Sequence, residues 1–152
     1  MDSRLRAIAD YLLAKSDASA VNPASIDAQL LPQFYILDVE RFANVRLRIR
    51  LVGTALDRLF QRPLVGHLLE EFIHGPRSGD VIAAFHACAR ACEPIWMRQV
   101  VKLQDNPPRY VEGVAVFLEP ERIYGGLVVG EMTLPGVDSG FERVNLKRSV
   151  AT

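Results

Sequence analysis

The chain lacks most of what a membrane, secreted or nucleic-acid-binding protein needs. It has only two cysteines, Cys88 and Cys92, in one short segment. That is no disulfide framework of the kind that staples small secreted domains. No run of about 18 apolar residues occurs, so no membrane-spanning helix is expected. The opening stretch, MDSRLRAIADYLLAKSD, has neither the apolar core nor the small-residue cleavage site of a signal peptide. These absences together predict a cytoplasmic protein. Charge of one sign is not in excess: 18 Lys plus Arg balance 18 Asp plus Glu. A neutral chain exerts no global pull on nucleic acid or anionic membrane, and neither is expected as a partner.

Catalytic signatures are also missing. There is no strand–Gly-x-Ser-x-Gly–helix elbow, no Cys–His signature and no glycine loop with a phosphate-binding Lys. Glu70 and Glu71 are helix neighbours that diverge, a poor acid–base pair. The residues point away from an enzyme. A zinc site needs about four ligands. Cys88 and Cys92 lie one helical turn apart, but His86 points elsewhere and no fourth ligand is evident, so buried free thiols are expected.

What is present is apolar residue in quantity: nearly half of the 152 residues, enough for one domain with a single core. Leu5, Ile8, Ala9, Leu12 and Leu13 recur at helical spacing and predict an amphipathic helix over residues 1–16, capped by Asp2 or Ser3. Its stripe packs either on its own domain or on the same helix of a second chain, which makes Leu5, Ile8 and Leu12 dimer candidates. A polar linker leads to Asn22-Pro23, which opens a short helix that Pro32 ends. Residues 34–39 read as a central strand, apolar on both faces. Residues 45–52 alternate strictly, with Val45, Leu47, Ile49 and Leu51 on one face and Arg46, Arg48 and Arg50 on the other. The arginines are either the charged face of an edge strand, which blocks aggregation, or a site for a small anion or an acidic partner. Short helices follow at 54–60 and around 68–72. A longer one runs from Ser78 or Asp80 to about residue 91, burying Val81, Ile82, Phe85, Cys88 and Ala89. Residues 95–103, 109–118 and 124–132 read as an antiparallel meander. The glycines at 125, 126 and 130 leave room for close approach. From residue 133 the pattern is lost, and a tail is expected.

Two strands, a run of short helices around a longer one, then three strands: this order resembles the PAS fold. Leu51-Val52-Gly53-Thr54-Ala55-Leu56 followed by Arg62-Pro63-Leu64-Val65-Gly66 is similar to the PAS pattern of strand, glycine, short helix and glycine turn. The lead-in from Asn22-Pro23 to Phe34 resembles single-domain PAS proteins of the alphaproteobacterial type. The resemblance covers residues 20–132. It implies an α+β chain: a five-stranded antiparallel sheet with helices on one face, enclosing a small pocket. The implied function is sensory or regulatory, through a small apolar or amphipathic ligand or a signalling partner such as a histidine kinase, with homodimerisation and no catalytic output of its own. Under that topology the pocket candidates are Leu47, Ile49, Leu56, Leu59, Phe60, Leu69, Phe72, Ile82 and Phe85. Trp96, Val114, Val116, Leu127 and Val129 join them from the sheet. The inward parity of the last three strands is left open by the sequence. A haem-binding PAS domain takes an axial histidine from the long helix, which singles out His86, although its place on the helix margin argues against it. No Asn-Cys-Arg-Phe run suits a light-sensing flavin. No cofactor is expected. The alternatives to a ligand sensor are a ligand-free interaction module and a haem sensor.

Overall fold

The structure, a computed structural model, describes residues 1–74, 77–101, 109–131 and 141–146. Three helices, α1 (Ser3–Leu13), α2 (Thr54–Phe60) and α3 (Ser78–Ala91), accompany six strands. The strands are β1 (Phe34–Arg41), β2 (Val45–Val52), β3 (Ile95–Val101), β4 (Arg109–Leu118), β5 (Arg122–Glu131) and β6 (Glu142–Asn145). They form one sheet of order β2-β1-β5-β4-β3-β6, with every neighbouring pair antiparallel. The chain is therefore α+β, with one strand more than the five expected. The additional strand comes from the expected tail: β6 pairs with β3, and the Leu146 N–H donates to the Pro94 carbonyl at 2.7 Å. Its four exposed residues carry no burial pattern, so sequence periodicity had nothing to register. The expected turns at 75–76 and 105–108, the strand ends at 102–103 and 132, and most of the tail lie outside the described residues.

The sheet has helices on both faces, not one. α2 and α3 cover one face. α1 lies on the other, over β4 and β5, with Leu5, Ile8, Ala9 and Leu12 fully buried. The dimer role expected for Leu5, Ile8 and Leu12 is thus displaced: the stripe is covered by the chain's own sheet. Each of these side chains gains about 1.5–3 kcal/mol over remaining exposed. Asp2 caps the helix by accepting from the Arg4 N–H at 2.8 Å. The Asp2 N–H in turn donates to Glu112 Oε2 on β4 at 2.8 Å.

Two cores result, one on each side of the sheet. Leu37, Leu47, Ile49, Phe85, Cys88, Ile95, Phe117 and Ile123 belong to the α2–α3 side. Phe34, Ile36, Trp96, Val114, Val116 and Tyr124 belong to the α1 side. This division explains why β4 is buried along both of its faces. Gly125 and Gly126 on β5 let each side close. A Cβ on Gly125 would collide with the Val114 carbonyl and with the Tyr35 ring, which crosses the sheet there. One on Gly126 would lie 2.6 Å from Ile8 Cδ1 of α1.

The expected strict alternation of β2 fails at one point. Leu37 pairs with Ile49 but Ile36 pairs with Leu51, so Arg50 is an extra residue in the ladder. Such a bulge shifts the following residues to opposite faces. Leu51 therefore packs with the α1 core, while Val52 turns to the α2–α3 side. The lead-in helix expected from Asn22-Pro23 is two three-residue 3-10 turns, Pro23–Ser25 and Leu31–Gln33. Asn22 still caps the first, accepting from the Ala24 N–H at 3.0 Å. α3 begins at Ser78, so Arg77, not Ser78 or Asp80, holds the cap position. Among the described residues no helix is long and apolar enough to cross a membrane.

Candidate functional site

The α2–α3 face of the sheet holds a cavity of about 100 Å³. Its floor is the sheet, and its roof is α2, α3 and residues 64–74 between them. Gly53 makes the roof possible: β2 ends there against the Leu31 and Pro32 carbonyls, at a distance that a Cβ would not permit. α2 then returns over the sheet and places Leu56, Leu59 and Phe60 along the cavity. Phe60 meets Phe72 edge-on, with centroids 6.0 Å apart. Arg62 stacks over the outer face of that ring at 4.3 Å and donates to the Glu71 carbonyl at 3.2 Å, tying the two ends of the roof together. The segment is also laced to β2: the Gly66 N–H donates to the Ile49 carbonyl and the Ile49 N–H to that of His67.

Most of the expected pocket residues are here. Ile49, Leu56, Leu59, Phe60, Leu69, Phe72, Phe85 and Leu127 all line the cavity. Three of the six exceptions have a common origin in parity. Trp96 pairs with Val114 in register, and both face α1, as does Val116. Ile95, Met97 and Gln99 face the α2–α3 side instead, as do Val111, Gly113 and Ala115. Val129 shares the helix-side parity of Leu127 but lines a separate groove beside α2. Leu47 is buried in the same core without reaching the cavity, and Ile82 is half-buried on α3 outside it. Tyr35, Leu37, Met97, Gln99 and Val111 are wall residues that the sequence reading missed. Only the pairing of β1 with β5 and of β3 with β4 distinguishes them from their neighbours.

The wall carries little polarity. The Tyr35 hydroxyl donates to the Val114 carbonyl at 2.8 Å, and burial pushes its phenol well above the ordinary value. Gln99 is 8% exposed, and no hydrogen bond joins its carboxamide to another described residue. His74 sits exposed at the mouth. Among the described residues it is the one histidine lining the cavity. His86, the expected haem ligand, is outside, with Nε2 3.2 Å from Glu70 Oε1. Cys88 is buried with Sγ 3.8 Å from the Ala115 carbonyl, while Cys92 is exposed, against the expectation that both thiols are core. Among the described residues no group of three or more His, Cys, Asp and Glu side chains could hold a metal.

The arginine face of β2 is matched by acids from β1. Arg48 Nε lies 2.9 Å from Glu40 Oε2, and its Nη1 donates to the Gly66 carbonyl at 2.7 Å. The Arg48 guanidinium beside Glu40 holds that carboxyl below the usual carboxylate range. Arg50 and Arg122 both reach Asp38, at 3.3 and 3.4 Å. Arg46, opposite Glu40, is exposed. The three guanidinium groups thus do not converge as a free acidic-partner site. β2 is a terminal strand of the sheet, in keeping with the edge reading.

Comparison with family models, with curated proteins and with solved structures returned no match.

Proposed function

We propose that this chain is a PAS-type sensory or regulatory module that binds a small ligand in the α2–α3 cavity and transmits its occupancy to a partner protein. The observation that carries this reading is an apolar cavity in the middle of the core, roofed by short 3-10 and helical segments and not by the sheet itself. Close-packed interiors leave few voids of this size, and an apolar one can take up an apolar molecule. The element order and the antiparallel sheet are compatible with the PAS resemblance. In this reading the chain has no reaction of its own. Output passes through a docked signalling protein, such as a histidine kinase, or through a homodimer built on surfaces other than the α1 stripe.

Native mass spectrometry of the freshly purified protein tests the reading. A filled pocket gives extra mass that leaves on denaturation, and its value identifies the ligand class. A bare protein that also takes up no small molecule favours the second reading, a ligand-free docking module. That alternative has its own support: the Phe60, Phe72 and Phe85 rings already fill much of the space between roof and sheet.

A further inference from the structure

We propose that Gln99 anchors the ligand of this cavity, and that the ligand is a neutral molecule near the size of benzene with one hydroxyl group, such as a monohydric phenol. The inference rests on the ligand-binding reading above and adds the chemistry of the occupant.

Gln99 lies on β3 beside Met97, opposite Val111, and its side chain enters the cavity wall. It is the only buried polar side chain in the described wall whose hydrogen-bonding groups are unused. The Tyr35 hydroxyl is already committed to the Val114 carbonyl, and His74 is at the open mouth. The polar atoms of the Gln99 carboxamide keep accessible surface, so a ligand in the cavity can reach them. A carboxamide offers a donor and an acceptor together. A hydroxyl satisfies either with a single atom.

The rest of the wall decides what the hydroxyl is attached to. Leu37, Ile49, Phe72 and Phe85 present only carbon. Among the described residues no ionised side chain lines the interior, so a charged ligand would lose its hydration with nothing to replace it. An engineered cavity of about 150 Å³ accepts benzene. The volume of about 100 Å³ here holds a molecule of that order after a small outward shift of the roof.

The test compares phenol with benzene on the wild-type chain and on Gln99→Leu, with binding followed by two-dimensional NMR titration. Wild type is expected to bind phenol more tightly than benzene. Gln99→Leu is expected to lose about tenfold in phenol affinity and to keep its benzene affinity. In the wild type, the Gln99 side-chain NH₂ resonances are expected to move with phenol and to stay in place with benzene. That readout does not depend on a variant that folds. If both probes bind and Gln99→Leu treats them alike, the anchor is wrong and the ligand-binding reading survives. If neither probe binds the wild type, the cavity is closed to such molecules, and the ligand-binding reading falls together with the anchor.

Discussion

Tyr35 shows how much one side chain decides in this molecule. It crosses the sheet over Gly125, donates to the Val114 carbonyl and forms part of the cavity wall. Removing its hydroxyl in Tyr35→Phe is expected to cost about 1–2 kcal/mol at pH 7, because the buried carbonyl loses its partner. Burial raises the phenol in the folded state above the ordinary value of 10.0. The unfolded chain therefore releases that proton first as pH rises. The stability that depends on it is fully present below about pH 10 and declines above it. Urea unfolding at pH 7 and pH 11 is expected to show wild type losing more stability over that interval than Tyr35→Phe. An equal loss in both would show that Tyr35 does not drive the alkaline limb. Tyr35 reads in the sequence as one of four consecutive apolar positions, and nothing local marks which face it takes. Gln99 is less legible still: a polar residue in an alternating strand reads as solvent-facing, and here it faces inward.

At the scale of the element, the long helix and its end near residue 91 were legible, because Val81, Phe85, Cys88 and Ala89 keep helical period through 78–91. Its cap at Arg77 and the conformation of the residue that closes it were not. Cys92 closes α3 in the left-handed region, with φ 55°, where a side chain is disfavoured and glycine is not. Cys92→Gly is expected to raise stability by about 1 kcal/mol, read as a higher urea midpoint with an unchanged slope. A lower midpoint would mean that the exposed thiol makes a contact worth more than the strain. β2 gives the complementary case. Its alternation identifies the strand and its charged face. The bulge at Arg50 sends Leu51 to the far side, and it is set by pairing with β1, which no pattern within β2 contains.

At the scale of the molecule, the described residues build one sheet with two buried faces, and α1 is the cover of the second. Trp96 is the chain's single tryptophan, and its Nε1 donates to Glu112 Oε2 at 2.7 Å, next to the Asp2 N–H on the same oxygen. It therefore reports on the seating of α1. Leu5→Glu combined with Leu12→Glu is expected to red-shift Trp96 emission and to destabilise the chain by more than about 3 kcal/mol, since two fully buried leucines become charged. An unshifted emission with normal stability would mean that the stripe packs elsewhere, as on a second chain. The sequence by itself determined most of the elements: a helix where apolar residues recur every third and fourth position, strands where they alternate or run together, glycines where the chain turns back. It determined the α+β class as well, and the helix residues around the cavity (Leu56, Leu59, Phe60 and Phe85), because helical period fixes which side of α2 and α3 is apolar. The tertiary structure alone decided parity, coverage and edges. Strands β4 and β5 are apolar on both sides, so their sequences suit either orientation, and only pairing with β1 and β3 aims Val111 and Leu127 at the cavity and Val114 and Val116 at α1. An amphipathic helix states that it must be covered and not by what; the space above Gly126 supplied the answer for α1. β6, short and exposed, is held chiefly by backbone hydrogen bonds to β3, which any sequence can make.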